Sequence, residues 1–246
     1  MNNFKYKEKD IEGHKTLDVF SEADKYNQWI FDIIRPYCKG NIIEIGSGIG
    51  NISQLLLKEN LSVVLSDLRE NYCQTLRDEF GHLENPPRIV NLDLAHPDFN
   101  NVYTGLLNSF DSLVILNVLE HIKDDHQAIQ NCYSLLKDGG HLIVFVPALQ
   151  SLYNRFDKGL EHYRRYNKKT LSEVISQNKF TVLHRQYMNF VGIFGWFVSG
   201  KILGNKIVPD KQVRLYNKLV PVFKVVDKII LNSIGLGVIC VGKKTV

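Results

Sequence analysis

The chain has 246 residues, 44% of them hydrophobic and 23% charged, with a formal net charge of +4. That length fits one domain with a full core, or one domain carrying a sizeable insertion, in an ordinary globular composition. The mild positive charge is far from the basic face that nucleic-acid binding needs, and no apolar run has the length of a membrane-spanning helix.

In chain order, strands and helices alternate in the rhythm of a doubly wound α/β sheet. Ser21-Glu22-Ala23 is placed to cap a leading helix that runs through Tyr26, Trp29, Ile30, Ile33 and Ile34 to about Cys38, within an N-terminal helical segment over 17–38. A short buried strand is expected over 41–45. Three alternate glycines follow, Gly46, Gly48 and Gly50, and make a turn in which backbone can approach a ligand without Cβ obstruction. A helix then opens at Asn51 and runs to about Asn60. The second strand is expected over 62–67, followed by a helix ending near Gly81, and the third over 87–93. The fourth and most apolar covers 111–117. A helix from about Lys123 to Lys137 is stopped by Asp138-Gly139-Gly140. The fifth strand, over 141–146, ends at Pro147. A helix over 170–178 carries Thr170 and Glu173 in the spacing of a capping box. Strands over 180–187 and 237–242 complete seven. Residues 190–235, aromatic- and glycine-rich and then basic and helical, read as an insertion over the site. The whole, 1–246, is expected to be one domain.

Four scattered cysteines, Cys38, Cys73, Cys132 and Cys240, form no C-x-x-C pair and no metal-ligand spacing, so reduced buried thiols and no metal are expected. The polar first ten residues lack the apolar core of a signal peptide, and the expected location is the cytoplasm.

The stretch Glu44-Ile45-Gly46-Ser47-Gly48-Ile49-Gly50 joins a strand end, a glycine turn and a helix N-terminus, the first half of a nucleotide-binding α/β unit. A dinucleotide fingerprint has its third glycine where this chain has Asn51, which disfavours a nicotinamide dehydrogenase. The G-x-G-x-G spacing with Glu44 ahead of it resembles motif I of the class I S-adenosylmethionine-dependent methyltransferases. The resemblance implies S-adenosylmethionine as cofactor and a Rossmann-like, seven-stranded, mostly parallel sheet with an N-terminal helix. It also implies a last strand pair joined without a parallel crossover and a helical insertion between them, on a cofactor-binding core over 41–189 and a final strand over 236–246. Glu44 then brings negative charge near a ligand that carries an ammonium and a sulfonium, beside Gly46, Ser47, Gly48, Gly50 and Asn51.

Asp67, with Leu68 next to it, closes the second strand about 20 residues beyond the turn, where a carboxylate can accept from both ribose hydroxyls. In similar methyltransferases the acid at Asp93 meets the adenine amino group, and Leu94 packs on the ring. Asn117-Val118-Leu119-Glu120-His121-Ile122 resembles motif IV, and Asn117, Val118 and His121 are the residues expected along the methionine part. Tyr26-Asn27-Gln28-Trp29 resembles the opening segment of a bacterial subgroup in which Tyr26 and Trp29 would cover the cofactor; ordinary core packing is the other reading of Trp29. All these elements converge on the crevice outside the strand C-termini, where open α/β sheets bind ligands.

The loop from Tyr153 to Tyr166 leaves strand five and overhangs that crevice. Its D-x-x-x-x-H-x-R-R-Y pattern resembles methyltransferases commonly associated with glycosyltransferases and surface polysaccharide synthesis, a likeness that extends to Asn189, Trp196 and Gly235-Leu236-Gly237. His162 is the candidate general base, since a neutral imidazole takes a hydroxyl proton near neutral pH, with Asp157 to orient it and His121 as a second candidate. Arg164 and Arg165 are placed to hold a phosphate or carboxylate in bidentate fashion, and Tyr153, Tyr166, Asn189 and Trp196 complete the expected acceptor set. A solvated basic loop, with Asp157 and Glu161 pairing the arginines, is the alternative.

The segment from Phe190 to Lys201 reads as an apolar wall for a lipid-linked or aromatic acceptor. With Lys201, Lys206, Lys211, Arg214, Lys218, Lys224 and Lys228 it reads equally as a surface resting on an anionic membrane at the inner face, or as a cap with a wet lysine-rich side. The expected activity is methyl transfer to a hydroxyl of a small-molecule or glycan-type acceptor. The alternatives are N- or C-methylation and, in another class, a non-catalytic subunit or sensor that binds the cofactor. No nucleic acid is expected as partner, because motif IV has no N-P-P-Y sequence for a flipped base. Monomer and homodimer both remain open.

Overall fold

Seven strands form one sheet, and their ranges follow the apolar runs closely. They are β1 Asn41–Ile45, β2 Ser62–Asp67, β3 Arg88–Asn91, β4 Phe110–Leu116, β5 Leu136–Pro147, β6 Phe180–Met188 and β7 Gly237–Lys244. The structure, a computed structural model, describes residues 11–59, 61–204 and 209–245. The polar first ten residues, the helix end expected at Asn60 and Lys206 lie outside the described residues.

The strand order is β3-β2-β1-β4-β5-β7-β6. The first five run parallel, and β7 is antiparallel to both β5 and β6. The order reverses between β1 and β4, which opens a crevice at their C-terminal ends. Helices cover both faces, so the central strands are buried on both sides and alternate residues feed different cores, while the edge strands β3 and β6 are partly exposed. Leu113 and Ile115 of β4 join Leu142 and Val144 of β5 on one face. Val114 and Ile143 point the other way, toward Trp29, Ile30, Phe31 and Ile34. All four cysteines are buried and free.

The leading segment is two helices rather than the single one expected over 17–38: α1 Ile11–Ser21 and α2 Asp24–Ile34, the latter followed by a 3-10 turn. The expected cap at Ser21 does not form, because its hydroxyl donates to the Asp18 carbonyl at 2.6 Å. Ala23 precedes α2 and has no side chain able to cap it. Asn217 does this instead, from a distant helix: its Oδ1 accepts from the backbone N–H groups of Lys25 at 3.0 Å and Tyr26 at 3.1 Å.

After the glycine turn come α3 Ser53–Leu57, α4 Glu70–Phe80 and α5 Phe99–Val102, then α6 Asp125–Leu135. The last ends two residues before Lys137, and Asp138-Gly139-Gly140 serves a different purpose from the expected stop. Leu136 already pairs with Phe110, and the register slips before His141 meets Ser112. Gly139, at φ +77°, takes up that bulge.

α7 Arg155–Gly159 lies in the loop after β5 and is followed by α8 Lys168–Gln177. Asn167 caps α8 and Thr170 reaches back to it, so the capping box is Asn167 with Thr170, three residues earlier than Thr170 with Glu173. Between β6 and β7 stand α9 Phe190–Trp196, a π-helical turn Phe197–Ile202 and the long α10 Asp210–Ile229, the expected helical insertion. Among the described residues, no helix is long and apolar enough to cross a membrane.

Candidate functional site

Gly46 and Ser47 donate their backbone N–H groups to the Ser66 carbonyl at 2.8 and 2.9 Å, which fastens the glycine turn across the end of β2. Gly46 has φ +72°, and a Cβ there would sit 2.3 Å from Val118 Cγ2, so only glycine fits. Gly48 donates its N–H to Asp67 Oδ2 at 3.0 Å, and Arg69 donates its own to Oδ1 at 2.9 Å. Asp67 thus holds the turn while keeping further lone pairs for a ligand. Its burial raises its pKa, against the pull of those two N–H groups.

Glu44 lies beneath the turn at 4% exposure, hydrogen-bonded by the Ser53 hydroxyl. Burial pushes its carboxyl up to about 7, while hydrogen bonds from Ser53 and Ser47 act in the opposite direction. Asp93 follows β3, its Oδ1 accepting from Ala95 N–H at 2.8 Å and its own N–H donating to the Tyr103 hydroxyl at 2.8 Å. Asn117 ends β4 in the left-handed region at φ +54°, which an Asn tolerates.

These residues line one cavity of about 1010 Å³ at the strand C-termini. Tyr26, Leu68, Asn51, Leu94, Val118 and His121 share that wall. Leu17 and Phe20 of α1 close it from above, and Asn51 Nδ2 ties α1 down by donating to the Leu17 carbonyl at 3.2 Å. The loop after β5 and the insertion add His162, Arg165, Asn189 and Trp196 to the lining.

A cradle that a Cβ would fill, a buried carboxylate beneath it and two more acids at strand ends fit S-adenosylmethionine. Glu44 would face its cationic end, Asp67 its ribose and Asp93 its base.

The loop carries a buried ionic network. His162 Nδ1 meets Asp157 Oδ1 at 3.0 Å, and Arg165 Nε donates to the same oxygen at 2.7 Å. Burial would raise the Asp157 carboxyl, but His162 and Arg165 together hold it below its ordinary value. Asp157 therefore orients the His162 ring through Nδ1, so that Nε2 is the nitrogen left for another partner. His121 packs edge-on to His162 with ring centroids 4.6 Å apart. Burial pushes its pKa down to about 3, helped by the charges of His162 and Arg69, so His121 is neutral at pH 7.

Several expected residues lie off the cavity. Gly50 faces Phe80, where a Cβ would come within 2.7 Å of the ring, so its glycine serves helix packing. Trp29 is 5% exposed in the core beneath the sheet. Arg164 is held outside by Asp125 at 2.7 Å and by the Lys123 carbonyl at 2.6 Å. The Tyr166 hydroxyl donates to the same Asp125 at 2.8 Å, inside the core. Tyr153 donates to the His162 carbonyl at 2.6 Å and so shapes the loop from behind. Asp157 is fully buried behind His162.

Glu120 was missing from the sequence expectation. It is fully buried, and neither carboxylate oxygen has a hydrogen-bond partner among the described residues. Burial pushes it up to about 7, against the charges of His162 and Arg165. Glu120, His121 and His162 bring possible ligand atoms within 4.8 Å of one another. The Arg165 guanidinium acting on Glu120 and the Arg69 charge acting on His121 work against a cation there.

Residues 43–142 match the family model described as a methyltransferase domain. Ubiquinone biosynthesis O-methyltransferase of Coxiella burnetii is 23% identical over 138 residues, which cover 51% of this chain and 56% of that one. The chain thus spans about half the length of the curated relatives it matches. Among solved structures, the phosphoethanolamine N-methyltransferase 2 of Haemonchus contortus, in complex with phosphomonomethylethanolamine and S-adenosylhomocysteine, superimposes with a TM-score of 0.64 at 16% identity, over 95% of this chain and 58% of that one. The CurJ carbon methyltransferase gives 0.58 at 14% identity, over 91% and 54%. The fold is the Rossmann-like one of these methyltransferases.

Proposed function

We propose that the protein is an S-adenosylmethionine-dependent methyltransferase acting on a hydroxyl of a small-molecule or glycan-type acceptor. One observation carries this reading. The glycine turn, Glu44, Asp67 and Asp93 line the same cavity as His162, which is backed by Asp157.

When bound, S-adenosylmethionine supplies an activated methyl group together with its own leaving group. The chain's residues then have two tasks, alignment and proton removal. Asp67 and the turn would hold the donor, and Asn117 and Val118 would lie along its methionine part. Such alignment is worth ~7–11 kcal/mol of barrier in well-ordered systems. His162 Nε2 takes the acceptor's hydroxyl proton, and Asp157 and Arg165 hold the imidazole in place. A base so placed contributes roughly 10²–10⁴-fold. Arg165 and Trp196, its ring 4.6 Å from that guanidinium, border the acceptor side.

Methyl transfer from labelled S-adenosylmethionine to sugar nucleotides, lipid-linked glycans, phenols and amines tests the reading. His162→Ala is expected to cut turnover about 100-fold with cofactor affinity unchanged; unaltered turnover removes His162 from the mechanism. Preferential labelling of an amine or of a carbon would move the reaction to N- or C-methylation. Cofactor binding without labelling of any acceptor would favour a non-catalytic subunit or sensor.

A further inference from the structure

Helix α10 turns an apolar stripe outward. Leu215, Leu219, Val222 and Ile229 repeat at helical spacing and are 61%, 41%, 58% and 74% exposed. Val225 flanks them, and the segment from α9 through the π-helical turn adds Phe194, Phe197, Val198, Ile202 and Leu203, all exposed. Most of the large apolar side chains exposed among the described residues are gathered on this insertion. Single exposed leucines need no explanation; a gathered set marks an interaction surface.

The stripe is set among cations. Lys201, Lys211, Lys218 and Lys228 are exposed around it, Arg214 pairs with Glu22 at 2.7 Å, and α10 contributes only Asp210 as an exposed acid. Its other acid, Asp227, is buried and accepts from the N–H groups of Asn189 and Phe190. Val198, Leu215 and Leu219 also line the cavity, so the cavity's mouth lies within this apolar face.

We propose that this face docks on an anionic lipid bilayer. The apolar stripe sits at the boundary between headgroups and acyl chains, and the lysines lie against lipid phosphates. The cavity mouth then opens toward the lipid. Resting on the methyltransferase reading, this makes a lipid-carried molecule the acceptor. A second copy of the chain is a poorer occupant, because it brings a second set of exposed lysines against a face that already carries Lys211 and Lys218. Anionic lipid supplies the opposite charge. The attachment is peripheral, since no described helix can span a bilayer.

Co-sedimentation of the full chain with vesicles tests this. Binding to phosphatidylglycerol–phosphatidylcholine vesicles is expected to be at least tenfold tighter than to phosphatidylcholine alone, and to weaken as salt is raised. The double variants Val222→Glu/Ile229→Glu and Lys211→Glu/Lys218→Glu, none of whose positions lines the cavity, are expected each to lose at least tenfold in vesicle affinity. Both should keep wild-type affinity for S-adenosylhomocysteine, which shows the fold and donor site intact. Equal binding to the two vesicle types, or unchanged binding by both double variants, overturns the proposal. So does a stable dimer that Val222→Glu/Ile229→Glu dissociates, which would make the face a self-association surface. Failure of wild type to bind S-adenosylhomocysteine counts against the methyltransferase reading and leaves the vesicle result to be judged by itself.

Discussion

Glu44 lies beneath the glycine turn with its carboxyl pushed up to about 7 by burial, so in the ligand-free protein it holds a proton over much of the range below neutrality. A cationic ligand favours its ionised form, and binding then expels the proton. Cofactor affinity is therefore expected to rise between pH 6 and about 7.5, by up to tenfold per unit at the acid end. Calorimetric titration of the wild type and Glu44→Gln would reveal this: the variant's profile should be flatter, and a wild type as flat as the variant would contradict the role. For folding the sign is opposite. Glu44 and Glu120 both have raised pKa values, so the stability they lend is full below about pH 4 and is lost as the pH rises through 7. The residues that line the cavity around the glycine turn were legible in the chain because a local turn and three strand ends set them. Trp29, Gly50, Arg164 and Tyr166 misled because their facing is decided by remote neighbours, such as Phe80 for Gly50 and Asp125 for the last two. Glu120 was passed over for the same reason, since its setting depends on His162 and Arg165, some 40 residues on.

Among the elements, α2 depends on a cap from the far end of the chain. Asn217 accepts from two of its orphan N–H groups and donates to the Glu22 carbonyl and the Asp24 carboxylate. Asn217→Ala is expected to lower the unfolding free energy by about 1–3 kcal/mol, since it strips a cap and leaves buried donors unmatched. Urea unfolding checks this, and a loss under about 0.5 kcal/mol would mean that α2 does not rely on the cap. The same bond explains why the sequence misplaced the start of α2: no local residue carries that signal. The central strands were far easier to read, because burial on both faces writes β1, β2 and β4 as nearly continuous apolar runs. The end of α6 was read two residues late, because Gly139 looks like a helix stop while its positive φ serves the bulge in β5.

At the scale of the whole molecule, the reversal of strand order at β1 and β4 opens the cavity at the glycine turn and the acidic strand ends, and the loop after β5 together with the insertion adds to its lining. The antiparallel β7 came from the motif resemblance, since periodicity alone does not distinguish strand direction. The outward apolar stripe of α10 was hidden in the sequence, where the same 3.6-residue spacing would equally describe a face packed on the sheet. The donor site is the centre of the account, and calorimetric titration with S-adenosylhomocysteine tests it most directly. One site per chain is expected, with affinity reduced at least tenfold by Asp67→Ala through loss of both the ribose contact and the hold on Gly48. No binding by the wild type, or binding that Asp67→Ala leaves untouched, would contradict it.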